Sequence, residues 1–326
     1  MRFLLGAAMA LGLAVGCGEK KGGNADAVAP RVEARSGSGN ADVAVSLVEA
    51  RKGFQTNLTK RQADKAPAAV PPPALFRAVR YDAPSGPSSA YVTPDPKDGK
   101  KHPAIVWITG GDCNSIDAGC WKDGNATNDQ SASAYRKAGL MMMFPSLRGG
   151  NDSPGVKEGF LGEVDDVIAA GEYLREQSYV DPERIYLGGH STGGTLVLLV
   201  SEYTNRFRAV FSFGPADDVS GYGPEYCPFP VRDAKEVNLR SPGRWLHSIA
   251  RPTFVFEGAT GNAEALRSMS KSSKNANARF FEVAKTDHFA ILAPTNELIA
   301  EKILKDVGPT CNLAFADDEI GRLFRR

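Results

Sequence analysis

The pentapeptide Gly189-His190-Ser191-Thr192-Gly193 constrains this chain more than any other stretch. It reads Gly-x-Ser-x-Gly between an apolar strand pattern, Ile185-Tyr186-Leu187, and an apolar helix pattern, Thr195-Leu196-Val197-Leu198-Leu199-Val200. A chain turning sharply from strand to helix holds the serine in a strained conformation, and small residues two before and two after let neighbouring backbones close in. The following helix aims free N–H groups and its positive dipole end at the same point. With 34 Gly and 22 Ser in 326 residues, chance alone supplies about 0.24 such matches, so position rather than pattern carries the weight. That position marks Ser191 as a candidate nucleophile.

The chain opens with one basic residue, Arg2, and a short apolar run ending in small residues and Cys17. This is an export signal, too short and too rich in Gly and Ala for a transmembrane helix. Ala14-Val15-Gly16-Cys17 resembles the bacterial lipobox, whose cysteine is lipidated and becomes the mature N-terminus. The expected location is therefore the bacterial cell envelope, held by a lipid anchor that tethers without spanning. Gly18, rather than Asp, after the cysteine points to the outer membrane.

Cys113, Cys120, Cys227 and Cys311 remain. An even number in an exported chain suggests disulfides. Of three possible pairings, Cys113–Cys120 with Cys227–Cys311 is favoured. No CxxC or clustered His accompanies them, so no metal site is expected. A net charge of +1 gives no electrostatic case for nucleic acid.

Residues 1–17 read as the signal and 18–73 as a flexible tether with a possible short helix between 43 and 58. Pro/Ala-rich sequence near 66–73 marks a boundary. Residues 74–326 form the folded domain. Eight short apolar strands are expected at 76–81, 90–93, 104–109, 140–144, 185–187, 209–213, 253–257 and 279–283. Helices are expected at 131–138, 162–177, 192–203, 263–273 and 296–306. This alternation argues for an α/β domain, a largely parallel sheet flanked by helices.

Beyond the elbow, Pro145-Ser146-Leu147-Arg148-Gly149-Gly150, Glu163-Val164-Asp165-Asp166 and the run Tyr179-Val180-Asp181-Pro182-Glu183-Arg184-Ile185-Tyr186 feeding the elbow strand carry a family likeness. Across 76–307 the chain resembles the α/β-hydrolase superfamily, and within it the catalytic domain of the prolyl oligopeptidase family. The N-terminal part is too short for the β-propeller that filters substrates in many of those peptidases. The resemblance implies an α/β-hydrolase fold with a small cap insertion, here 219–248. It implies a serine hydrolase, carboxylesterase or peptidase, that cleaves an ester or peptide bond through an acyl-enzyme. No cofactor is implied, and the partners are a small ester or peptide substrate and the membrane.

The superfamily's order, Ser then acid then His, leaves His247 and His288 downstream of Ser191. Only His288 follows the last strand, so it is the expected general base. His190 lies inside the elbow, its side chain expected to point elsewhere. The usual acid site, after the seventh strand, reads Glu257-Gly258-Ala259-Thr260-Gly261-Asn262-Ala263-Glu264 and contains no Asp. Glu264 and Asn262 are substitutes there; Asp217 and Asp218, after the sixth strand, are the leading contenders. Asp287 is expected to point away from its neighbour. The oxyanion hole is assigned to the backbone of Thr192 and of Gly111, in Thr109-Gly110-Gly111-Asp112. Arg148 is expected to brace its loop through ion pairs. The alternative to an enzyme is a non-catalytic lipoprotein keeping the fold as a binding module, its one support being the missing Asp.

Overall fold

The computed structural model describes residues 44–325, so the signal segment, Cys17 and the tether up to residue 43 lie outside the described residues. The domain is built on one sheet of strands β1 (Arg77–Ala83), β2 (Gly86–Val92), β3 (His102–Ile108), β4 (Met141–Pro145), β5 (Val180–His190), β6 (Val210–Phe213), β7 (Thr253–Gly258) and β8 (Ala278–Val283). Their spatial order is β1-β2-β4-β3-β5-β6-β7-β8. β2 runs antiparallel to β1 and to β4, and every other pairing is parallel. All eight expected strands are present, within a few residues of their expected bounds. This sheet, with helices on both faces, is the α/β-hydrolase fold.

The central strands read as continuous apolar runs because both their faces are covered. In β3, Ala104, Val106 and Ile108 enter one core while Ile105 and Trp107 enter the other. In β5, Ile185 and Leu187 take the first side and Tyr186 the second. The helices, in chain order, are α1 (Leu47–Arg51), α2 (Ser133–Lys137), α3 (Glu163–Arg175), α4 (Thr192–Tyr203), α5 (Gly223–Tyr226), α6 (Ala234–Asn238), α7 (Ala263–Ser272), α8 (Leu292–Lys305) and α9 (Asp317–Arg322). α4, directly after the elbow, is buried from Thr192 through Glu202, which explains why its sequence is apolar on all sides. α5 and α6 are short pieces inside the 219–248 insertion.

Two expectations are corrected. Within the stretch read as tether, residues 44–73 dock on the domain, and the short helix considered between 43 and 58 is α1, packed against it. Leu47 is fully buried, and the Arg51 guanidinium donates to the carbonyls of Leu239, Phe160 and Leu161. Thr59 N–H donates to Pro228 O, and Asp64 N–H to Gly149 O. The polar composition of this arm reflects hydrogen bonding along the surface of the domain rather than freedom. The second correction concerns disulfides. Cys113, Cys120, Cys227 and Cys311 are free thiols. Cys113 and Cys120, close in sequence, are packed into different cores. Cys227 is buried in the first of these, whereas Cys311 packs against the second. Neither expected pair shares a core.

Candidate active site

Ser191 sits at φ 57° and ψ −117°, between the end of β5 and the start of α4. A non-glycine residue held there costs free energy that the surroundings must impose. The constraint is visible on both sides. Ser191 N–H donates to Phe213 O at 2.7 Å, tying the turn to the end of β6. A Cβ at Gly193 would lie 2.3 Å from Ile108 O, and one at Gly189 would lie 2.7 Å from Gly193 O. The two motif glycines are therefore required by close backbone approach to β3 and across the turn itself.

His288 follows β8 in the loop Thr286–Phe289. Its Nδ1–H donates to Oε2 of Glu257 at 2.8 Å, which leaves Nε2 as the ring nitrogen free for a serine. Glu257 is the penultimate residue of β7 and is fully buried. Its two oxygens also accept from Gly258 N–H at 2.6 Å and from Asn262 N–H at 3.0 Å. Two glycines make room for the pair. A Cβ at Gly214 would fall 2.3 Å from His288 Cε1, and one at Gly261 would fall 2.5 Å from Glu257 Oε1.

The carboxylates expected to serve this role do something else. Asp218 accepts from Ser220 N–H and Oγ–H and faces Arg244 at 3.4 Å. Asp217 and Glu264 line, with Asp218, a neighbouring cavity of about 550 Å³ that also touches Gly261 and Asn262. Asn262 contributes its backbone N–H to Glu257, while its side chain donates to Gly214 O. Asp287 caps the turn behind it, accepting from Phe289 and Ala290 N–H. Expectation looked for the acid in the loops after the sixth and seventh strands; the carboxylate that meets His288 belongs to strand β7 itself. Glutamate's extra methylene lets a carboxylate start earlier in the chain and still reach the imidazole. A lone charge closing the apolar run Thr253-Phe254-Val255-Phe256 was the signal available in the sequence.

The other histidines are accounted for. His102 pairs with Asp98 and His247 with Val45 O, both away from the elbow. His190 does not point elsewhere: its ring lies 4.5 Å, centroid to centroid, from that of His288. Burial, and then the neighbouring His288, pushes its pKa down to about 3.

Gly111 adopts φ 75°, available to glycine without strain. Its carbonyl accepts from Thr192 Oγ1–H at 2.9 Å and from Tyr226 OH at 3.3 Å. That fixes the loop after β3 against the first residue of α4. Neither Gly111 N–H nor Thr192 N–H donates to another backbone group among the loop and turn bonds of the described residues. Both amides are thus available to a developing oxyanion. Beside this loop lies a cavity of about 290 Å³ whose walls include Cys113, Phe160, Tyr226 and Pro228, with Asp112 and Lys157 at the polar side.

Arg148 braces the adjacent loop, as expected. Its guanidinium grips Asp166 through Nε and Nη2, both at 2.9 Å, and reaches Glu158 at 2.8 Å. Arg148-Gly149-Gly150 and Asp166 are thus two halves of one contact.

Residues 129–237 match the prolyl oligopeptidase family. Among solved structures, similar ones include a putative dipeptidyl aminopeptidase IV from Bacteroides ovatus at 17% identity and TM-score 0.55, covering 71% of this chain and 36% of that one. A puromycin-hydrolyzing peptidase from Mycobacterium tuberculosis matches at 22% identity and TM-score 0.54, over 71% of this chain and 39% of that one. A 2,6-dihydroxy-pseudo-oxynicotine hydrolase matches at 15% identity and TM-score 0.54, over 72% of this chain and 71% of that one. The chain spans well under half the length of the two peptidases.

Proposed function

We propose that this chain, with its α/β-hydrolase fold and its likeness to the prolyl oligopeptidase family over residues 129–237, is a serine hydrolase whose catalytic triad is Ser191, His288 and Glu257. The observation that carries this reading is the Glu257–His288 pair, whose imidazole lies 4.5 Å from that of His190, the residue before a serine in a strained elbow. Ser191 Oγ attacks the scissile carbonyl as His288 Nε2 takes its proton. Glu257 holds the Nδ1–H tautomer and stabilises the imidazolium. The amides of Gly111 and Thr192 receive the oxyanion. His288 then protonates the leaving group, and water releases the acyl chain by the same steps in reverse roles.

The bond cleaved is an ester or a peptide bond. A cavity of about 290 Å³ lined by Asp112, Cys113 and Tyr226, next along the chain from Gly111, has room for one side chain or a short acyl group. The non-catalytic reading drew its support from the missing Asp, and Glu257 supplies a carboxylate in its stead. The lipobox-like residues before Cys17 support export and lipid anchoring at the cell envelope.

A fluorophosphonate probe tests the triad. Wild-type protein should be labelled at Ser191, and Ser191→Ala should lose labelling and turnover with its fold intact. A well-folded Ser191→Ala that turns over p-nitrophenyl esters and aminoacyl amides normally refutes the proposal. For the anchor, Cys17→Ser should move the protein from membranes to the soluble fraction; continued pelleting after high-salt washing places the anchor elsewhere.

A further inference from the structure

We infer that His190 is a positioning residue that ties the nucleophile elbow to the histidine loop and to the oxyanion loop, an inference that rests on the triad proposed above. His190 is 1% exposed. Its Nε2 lies 2.9 Å from the backbone carbonyl oxygen of His288. A carbonyl only accepts, so Nε2 carries the hydrogen; Nδ1 lies 3.2 Å from Gln130 Oε1, and in a neutral ring it accepts from Gln130 with that amide turned to present its NH2. Because Ser191 is the next residue in the chain, this bond fixes the separation between nucleophile and base across 98 residues of sequence.

The same ring reaches the third component. A Cβ at Gly110 would lie 3.0 Å from His190 Nδ1 and 3.2 Å from Ser191 Cβ. Gly110 therefore rests on the His190 imidazole, and Gly111 follows it directly. One buried side chain thus touches the loop that supplies the base, the loop that supplies an oxyanion donor, and the elbow itself.

Neutrality is what lets it act this way. The charged or titratable group facing the ring is His288. Gln130 and Phe289, its other neighbours, carry no charge. Asp129 turns its carboxylate onto Ser131 and Ser133, and Asp287 turns its own onto the Phe289 and Ala290 amides. A ring held neutral neither competes for the proton from Ser191 nor repels the imidazolium formed on His288.

The experiment compares His190→Leu, which fills the space without a donor, with His190→Gln, which keeps an N–H donor. Ester turnover, the fluorophosphonate inactivation rate and thermal melting are measured on each. His190→Leu should lose roughly ten- to a hundredfold in kcat, with KM changing less than about threefold. Inactivation should slow in parallel, and His190→Gln should recover a substantial part of both. A His190→Leu protein with wild-type kcat overturns the inference. So do Leu and Gln variants equally impaired in proportion to lost stability, since that outcome marks packing alone. If His190→Leu is insoluble, His190→Gln against His190→Ala decides the same question. Labelling of wild-type Ser191 stands or falls separately, so failure of the triad reading is distinguishable.

Discussion

Glu257 Oε2 accepts from His288 Nδ1–H at 2.8 Å, and the carboxylate making this bond belongs to a β-strand rather than to the loop that follows it. Strand β7 is hydrogen-bonded on both sides, to β6 and β8, so its backbone is fixed along both edges. The carboxylate proposed as the third member of the triad is therefore held by the scaffold. Its position predicts that Glu257→Gln lowers kcat by about a thousandfold or more, because the amide can favour the wrong tautomer and cannot stabilise the imidazolium. Asp217→Asn and Glu264→Gln should stay within a few fold of wild type. Steady-state kinetics on the three variants checks this; a large loss at Asp217 with a small one at Glu257 would reverse the assignment.

Gly214 offers an independent handle on the same pair. It has φ 58°, and an added Cβ would lie 2.3 Å from His288 Cε1 and 2.7 Å from Glu257 Oε2. Gly214→Ala should displace the imidazole and reduce kcat by about a hundredfold. The left-handed backbone adds about 1–2 kcal/mol of destabilisation. Melting temperature and kcat measured together separate the two effects. Unchanged kcat in this variant would show that the His288 ring does not occupy this position in turnover.

Much of this site was legible in the sequence, for identifiable reasons. The elbow, His288 and the Gly110-Gly111 loop lie at ends of short buried strands, where apolar runs and glycines mark position. The alternation in β3 and β5 comes from sheet geometry alone, so fold class follows from the apolar runs. What escaped depends on reach and on packing between distant segments. Glu257 stands where the expected strand 253–257 passes into the loop, and its side chain extends back to the histidine. The elbow pattern by itself points the His190 side chain away; its contact with His288 arises only when β5 and the loop after β8 are brought together. The arm from 44 to 73 docks through scattered hydrogen bonds to carbonyls and side chains of the domain, which a polar, Pro- and Ala-rich composition does not reveal.

The cysteines yield a third prediction. Four free thiols, divided between the two faces of the sheet, should all react with a maleimide in denaturant without reductant. In the folded protein they should react slowly, since burial pushes Cys113 and Cys120 up to about 12 and Cys227 and Cys311 up to about 11. Mass spectrometry of labelled peptides counts them. A peptide pair linked through Cys113 and Cys120, or through Cys227 and Cys311, would restore the pairing expected from sequence.

The last prediction concerns Glu202, near the end of α4. Its carboxylate is buried, and neither oxygen has a hydrogen-bond partner. Burial raises its pKa well above the ordinary glutamate value, and Arg51 opposes this only in part. In the unfolded chain the group ionises near its ordinary value of about 4.5. Above that pH the unfolded state releases a proton that the folded state retains. The folded state then binds more protons than the unfolded one, so stability falls as pH rises, by about 1.4 kcal/mol per unit until the folded pKa is passed. Glu202→Gln cannot titrate and should be free of this loss. Its melting temperature relative to wild type should therefore climb as pH rises above about 5, by roughly 2–4 °C for each kcal/mol removed. Melting curves on both proteins at matched ionic strength check this. A difference that stays flat across that range would mean that Glu202 is ionised in the folded protein and has a partner there.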